Sequence, residues 1–106
     1  MKAEVENELN DTTASKIALN QIRQRAGLAS INAINKTSMR NSIYKERRVE
    51  MAFEHDRMFD LRRTGRAGTV LRSHGKPYID GKHDLFPIPQ TQIELSNGRI
   101  MQNPGY

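Results

Sequence analysis

The sequence predicts a mainly α-helical protein with a helical hairpin, one long helix and an irregular C-terminal tail rich in Gly and Pro. Apolar residues in the first 63 positions recur at helical spacing. Polar, turn-forming clusters separate the helical stretches, and Gly and Pro interrupt the remainder of the chain. Its 106 residues are enough for one domain.

Residues 2–26 are predicted to form the hairpin, the unit from which tetratricopeptide-type arrays are built. Residues 2–9 form its first helix, which no Ser, Thr, Asp or Asn precedes as a cap. Residues 10–13 make the turn and offer an N-cap for the second helix, about 14–25. Gly27 supplies its left-handed C-cap. The second helix has an amphipathic stripe that comprises Ile17, Ala18, Ile22, Arg25 and Ala26.

A long third helix is predicted over residues 39–63, capped by Thr37 or Ser38, with a bend near His55. Charged and apolar residues point in every helical direction between residues 46 and 65. A solvated helix would separate the two kinds of residue onto opposite faces. We therefore expect this helix to be covered on most sides.

Four charged residues fall on one stripe of the long helix, in the order plus, minus, minus, plus. They are Arg47, Glu50, Glu54 and Arg57. Opposite charges at this spacing attract each other. On a covered helix, they are expected to form a buried structural ion network that orients the helix against its neighbours.

Residues 66–106 are predicted to be an irregular tail, in which Asp80-Gly81 turns a tight hairpin between residues 77–79 and 82–86. About 40 residues with little regular structure are unusual in a compact domain. A tail of this kind typically lies over a larger body.

Catalysis is not expected. Glu50 and Glu54 resemble a pair of catalytic carboxylates, but the nearby Arg residues would keep both ionised, whereas a general acid needs a raised pKa. The three His residues lack metal-ligand spacing. The segment from Gly65 to Gly68 is too short for a phosphate-binding loop. The sequence thus predicts no catalytic residue, no metal site and no cofactor.

The net charge of +5, from 17 basic and 12 acidic residues, leaves open a second hypothesis, a small basic nucleic-acid-binding module. Arg residues alternate with acidic ones instead of forming a basic run, which favours pairing within the protein. The chain has no Cys, so disulfides and Cys-ligated zinc are excluded. Only 36% of the residues are hydrophobic, which predicts a thin core and a chain that does not fold autonomously.

Four segments resemble motifs of the SusD/RagB family, in the order that the family has them. Residues 18–28 are similar to its N-x-[IV]-R-x-R-A-G-L segment, and residues 43–65 to its charged helix with E-R-R-x-E-x-A-F-E. Leu85-Phe86-Pro87-Ile88-Pro89 and Gln102-Asn103-Pro104-Gly105-Tyr106 are similar to its two closing motifs. The matches cover nearly the whole chain, and together they are highly specific.

The resemblance implies an all-α, surface-exposed outer-membrane lipoprotein of Bacteroidetes. Such proteins are not enzymes; they bind glycans and hand them to a SusC-like, TonB-dependent transporter, with no nucleic acid as partner. Family members are several times longer, so residues 1–106 are expected to be the C-terminal part of such a domain. The signal sequence and the lipid-bearing Cys are missing from these residues. No ligand-binding residue is assigned, and the glycan site is expected outside this chain.

Overall fold

The computed structural model describes residues 1–106 as an all-helical protein without strands, which confirms the predicted mainly α-helical fold class. Its helices are α1 (Lys2–Glu8), α2 (Thr12–Arg25), α3 (Lys36–Glu50), α4 (Arg57–Arg63), α5 (Ala67–Ser73) and α6 (Gln90–Leu95). The chain divides into two compact units, Met1–His55 and Asp56–Tyr106, each with its own apolar cluster.

In the first unit, α1 and α2 form the predicted hairpin. Asp11 caps α2, because its carboxylate accepts a hydrogen bond of 2.8 Å from the backbone N–H of Ala14. Gly27 follows α2 with φ of 69°, and the next N–H, that of Leu28, donates to the carbonyl of Arg23 at 2.8 Å. This pattern closes a helix in the left-handed manner that favours Gly.

The buried face of α2 shares Ala18 with the predicted stripe and otherwise differs from it. Ile17 is 60% exposed, whereas Ser15, Ala18 and Leu19 are buried. The Ser15 hydroxyl donates to the carbonyl of Ala3 at 2.5 Å, so α1 lies against the face that carries the small side chains. A small polar residue is therefore part of the contact, which a pattern of apolar residues does not reveal. The core of this unit comprises Ala3, Ala18, Leu19, Ala33, Met39 and Ile43.

The third helix begins earlier than predicted. Asn35, not Thr37 or Ser38, is its N-cap, and its side chain accepts from the backbone N–H of Ser38 at 2.9 Å. The Ser38 hydroxyl accepts in return from the N–H of Asn35 at 3.1 Å, which completes a capping box. Ser38 thus takes part in the cap from the third position inside the helix.

The prediction of one long helix over residues 39–63 is wrong, because α3 ends at Glu50 and α4 begins at Arg57. Between them, Phe53 and His55 adopt left-handed backbone conformations with φ of 69° and 60°. His is one of the residue types enriched in this region of φ and ψ, whereas a bulky Phe is unusual there. No Gly or Pro marks the break. The expected bend near His55 is instead a complete interruption.

The second unit has its own core, where Leu61, Ala67 and Tyr78 are buried. Leu61 lies on α4 and packs in this second core, so tertiary packing within the second unit stabilises α4. Gly65, with φ of 67°, separates α4 from α5, and α5 places Ala67 in this core. Residues 66–106, which were predicted to be irregular, thus contain two helices, α5 and α6.

The predicted strands on either side of Asp80-Gly81 are also absent. Gly81, with φ of 82°, does turn the chain, but side chains stabilise the turn. The Tyr78 hydroxyl donates to Asp84 at 2.6 Å, and the Gly81 N–H donates to the same carboxylate at 2.5 Å. The backbone N–H of His83 donates to the carbonyl of Ile79 at 2.9 Å, which gives a helical turn instead of a strand pair.

The chain end is held by side-chain amides. Gln102 accepts from the N–H of Ile88 at 2.8 Å and donates to the carbonyl of Ile88 at 2.9 Å. Asn103 donates to the carbonyl of Phe86 at 2.7 Å, and the Tyr106 hydroxyl donates to that of Leu85 at 3.1 Å. The two closing motifs singled out in the sequence are thus hydrogen-bonded to each other.

Candidate functional site

The four residues of the predicted ion network do not share one helical stripe. Arg47 and Glu50 lie on α3, Glu54 lies in the interruption that follows it, and Arg57 is the first residue of α4. Glu54 is exposed, and Glu50 forms an ion pair with Arg25 of α2. The prediction assumed a continuous helix, and the interruption removes the spacing on which it depended.

An ion pair that the sequence did not predict lies between α2 and α3. Arg23 contacts Glu46 at 2.6 Å, and their side chains are only 22% and 10% exposed. Arg23 also donates from Nε to the carbonyl of Ala29 at 2.8 Å, which fixes the loop after α2. The two partners are 23 positions apart, so no local spacing could have indicated the pair. Both belong to motif segments of the family resemblance.

Other basic residues are also engaged within the chain. Arg40 donates to both carboxylate oxygens of Glu8, at 2.8 and 2.6 Å. These hydrogen bonds lower the pKa of Glu8 and raise the pKa of Arg40. Arg72 likewise contacts Asp80 at 2.9 Å. The positive charge is spread over separate ion pairs, and this does not favour the hypothesis of a nucleic-acid-binding module.

The Tyr78–Asp84 pair is not arranged for acid–base catalysis. The hydrogen bond from the Tyr78 hydroxyl, followed by that from the Gly81 N–H, lowers the pKa of Asp84. The same hydrogen bond, followed by desolvation, raises the pKa of Tyr78. A general acid or base near neutral pH needs pKa values moved toward 7, and both of these move away from it. No group of three or more His, Asp or Glu side chains lies together as metal ligands would.

The first unit has a groove between α1, α2 and α3. Its volume is about 360 Å³, and residues from all three helices line it. Ala3, Ala18, Leu19, Ile22, Ile43 and Met51 supply the apolar part of the lining. Glu46 and Glu50, which lie in the wall, already have Arg partners on α2. Lys2, Glu4 and Arg47 line the groove as well, so its surface carries both apolar and charged side chains.

Comparison with known proteins connects this arrangement to a family. The sequence model of the SusD family matches residues 1–106, the whole chain. The chain belongs to the SusD family. This confirms the resemblance carried by its four motif segments.

Two SusD-like proteins of Formosa agariphila are similar to the chain. It is 30% identical to SusD-like protein P2 over 98% of its own length, and 29% identical to SusD-like protein P25 over 91%. It spans 23% and 20% of their lengths. The crystal structure of a SusD-like protein from Bacteroides fragilis is also similar, with 27% identity and a TM-score of 0.79. That match covers 98% of this chain and 23% of the other, and it supports the all-helical fold.

The six helices of this SusD-family chain are short, between 6 and 15 residues. None of them is both long and apolar enough to cross a membrane.

Proposed function

We propose that this chain is the structural part of a non-enzymatic glycan-binding protein that serves nutrient uptake through a TonB-dependent transporter of the SusC type. The observation that carries the proposal is the match of the SusD family to all 106 residues. We further propose that the protein acts at the cell surface, on the outer membrane, as the family resemblance implies.

The polar contacts support a structural role. The Arg23–Glu46 pair joins two helices, and the Gln102 amide holds the segment around Ile88. Tyr78 is buried and donates its hydroxyl to Asp84. Groups that are already satisfied within the protein are poor candidates for binding sugar hydroxyls, because binding would break the existing hydrogen bonds.

Two of the Tyr rings are engaged within the chain, which supports a site elsewhere. The ring contact of Tyr78 is with His83, at 5.5 Å between centroids, and Tyr78 is only 6% exposed. The Lys82 ammonium lies over the ring of Tyr106, 4.9 Å from its centroid. Binding sites for small molecules are concave and lined by apolar and aromatic groups with a few placed polar ones. We therefore propose that the glycan site lies in residues outside this chain.

A hybrid protein tests this function. The chain replaces the matching 23% of the Bacteroides fragilis SusD-like protein, and a glycan array compares the hybrid, the unchanged protein and the chain alone. We expect the hybrid to keep the glycan profile of the unchanged protein and the chain alone to bind no glycan. Incubation with the bound glycans should release no smaller sugars.

Three substitutions in the hybrid locate the site more sharply: Tyr78→Ala, Phe86→Ala and Tyr106→Ala. Calorimetry should find glycan affinity unchanged in variants whose circular dichroism shows an intact fold. Glycan binding by the chain alone with the affinity of the hybrid, or its loss in a folded single variant, would place the site in these residues and contradict the proposal.

A further inference from the structure

The turn after α6 contains Asn97-Gly98, and no other Asn in the chain is followed by Gly. We propose that Asn97 is a site of spontaneous covalent modification, at which its side-chain amide is converted to aspartate and isoaspartate through a cyclic succinimide. The reaction consumes water and needs no other reactant. This inference does not depend on the proposed glycan-related function.

The reaction joins two groups of the same turn. The backbone nitrogen of Gly98 attacks Cγ of Asn97 and loses its proton to the solvent. The bond from Cγ to Nδ2 then breaks, and the side-chain nitrogen takes up a proton and leaves as ammonia. Water adds to one of the two ring carbonyls next to the Gly98 nitrogen and cleaves its bond to that nitrogen, which gives aspartate or isoaspartate. No atom is oxidised or reduced.

The structure leaves both reacting groups accessible. Asn97 and Gly98 are exposed, and their φ values of 51° and 79° place them in a left-handed turn. The N–H of Gly98 donates no hydrogen bond, and the side chain of Asn97 makes none. Gly98 also has no Cβ beside the attacking nitrogen. The ring can therefore form without loss of a hydrogen bond by either group.

Asn10 provides a contrast within the same chain. It is also exposed and left-handed, with φ of 69°. The N–H that follows it, that of Asp11, donates to the carbonyl of Glu6 at 2.9 Å, and the Asn10 side chain accepts from the Lys36 ammonium at 3.0 Å. Attack at Asn10 has to break the first of these hydrogen bonds, which costs free energy. The fold thus protects Asn10 and leaves Asn97 open.

Conversion of Asn97 alters the turn after α6. A carboxylate at this position lies next to the carbonyl end of the helix, where the helix dipole disfavours negative charge. Isoaspartate also adds a carbon to the main chain between Ser96 and Arg99, whose carbonyl and N–H are hydrogen-bonded at 3.2 Å. The Ser96 hydroxyl accepts from the N–H of Ile100 at 3.0 Å across the same residue. We expect isoaspartate to weaken both hydrogen bonds.

Peptide mapping by mass spectrometry tests the modification on the full 106-residue chain. The chain is kept in mildly alkaline buffer made with heavy-oxygen water. We expect Asn97 to convert at least ten-fold faster than any other Asn, to take up heavy oxygen, and to give both aspartate and isoaspartate. Direct hydrolysis of the side-chain amide gives aspartate alone. That product pattern, or an Asn97 that stays intact, would overturn the proposal.

The substitution Asp11→Gly separates the effect of the dipeptide from that of the fold. It places Gly after Asn10, and Gly is tolerated at the N-cap position that Asp11 occupies. The N–H of residue 11 stays engaged in the fold. Asn10 should therefore convert at least five-fold more slowly than Asn97 in the native variant, and at a similar rate in denaturant. Equal rates in the native variant would contradict the role of the free N–H.

Gly98→Ala is the matched change at the site itself. A Cβ at this position meets no atom within 4 Å, although the positive φ strains any residue other than Gly. Conversion of Asn97 should slow at least ten-fold while circular dichroism shows an unchanged helical signal; an unchanged rate would overturn the proposal. In the converted, unsubstituted chain, hydrogen exchange should be faster at the N–H groups of Arg99 and Ile100, and unchanged exchange there would contradict the expected effect on the turn.

Discussion

Two glutamates one turn apart on α3 lie in different environments. Glu46 is buried and contacts Arg23, whose side chain is mostly covered, whereas Glu50 and its partner Arg25 are exposed. Removing one partner of a buried pair leaves the other charge without compensation. We expect Glu46→Gln to destabilise the first unit by about 1–3 kcal/mol. Glu50→Gln should cost less than about 1 kcal/mol. Hydrogen exchange of the α2 and α3 amides measures both free energies.

The substitution Glu54→Gln distinguishes the buried ion network expected from the sequence from the exposed position of Glu54 in the structure. A buried network predicts a cost of about 3–5 kcal/mol for Glu54→Gln. The exposed position outside the helices predicts a cost within about 0.5 kcal/mol. Equal costs for substitutions at Glu46, Glu50 and Glu54 would show that burial does not distinguish these carboxylates.

Asp84 should make the second unit sensitive to acid. The hydrogen bond from Tyr78 lowers the pKa of Asp84 in the folded state. A carboxylate with a lowered pKa stabilises the fold above its unfolded pKa of about 4, and this contribution is lost as the pH falls through the lower folded value. At pH values below about 4, we expect the melting temperature of the second unit to decrease. The decrease should be smaller in Asp84→Asn.

Tyr78→Phe is the control for this pH dependence, because it keeps the buried ring and removes the hydroxyl that donates to Asp84. Its melting temperature should also depend less on pH than that of the unsubstituted chain. Acid sensitivity that is the same in all three proteins would assign the effect to other carboxylates.

At the scale of elements, the capping box fixes the start of α3. Asn35 and Ser38 satisfy each other's backbone N–H groups, and Thr37 is exposed beside them. Loss of an N-cap of this kind costs about 1 kcal/mol. We therefore expect Asn35→Ala to destabilise α3 by about that amount, and Thr37→Ala to change stability by less than about 0.5 kcal/mol. Hydrogen exchange of the first turn of α3 distinguishes them.

The elements that local chemistry determines could be predicted from the sequence. Asp11, one of the four residues from which the cap was expected, and Gly27 bound α2 through contacts within five residues, and residue type indicates both ends. The interruption after Glu50 has no such signal, since the left-handed conformations of Phe53 and His55 are unusual for Phe and only weakly favoured by His. The separate packing of Leu61 depends on residues later in the chain. Tertiary contacts of this kind override helical propensity.

The ion pairs show the same limit. The predicted network relied on spacing along one helix, whereas Arg23 and Glu46 are brought together by the packing of α2 on α3. Sequence spacing predicts partners on one element. It does not predict partners on two elements until their faces are known, and the buried face of α2 depends on Ser15 as much as on its apolar residues.

At the scale of the whole molecule, large apolar side chains remain exposed in both units. Phe53 is 100% exposed, Phe86 is 76% exposed and Met101 is 84% exposed. These side chains belong to neither of the two apolar cores. Their exposure agrees with the sequence-based expectation of a thin core, and it is consistent with a chain that occupies only 23% of the length of its relatives.

Two separate cores predict that the isolated chain does not unfold in one cooperative step. Met39 is fully buried in the first core, and Leu61 is 1% exposed in the second. Truncating a buried Met or Leu to Ala costs about 2–5 kcal/mol. Calorimetry of the unsubstituted chain should give a broad or double transition, and hydrogen exchange assigns its components to residues 1–55 and 56–106. Met39→Ala should lower the melting temperature of the first component only, and Leu61→Ala that of the second only. A single sharp transition that both substitutions shift equally would show that the chain is one cooperative domain.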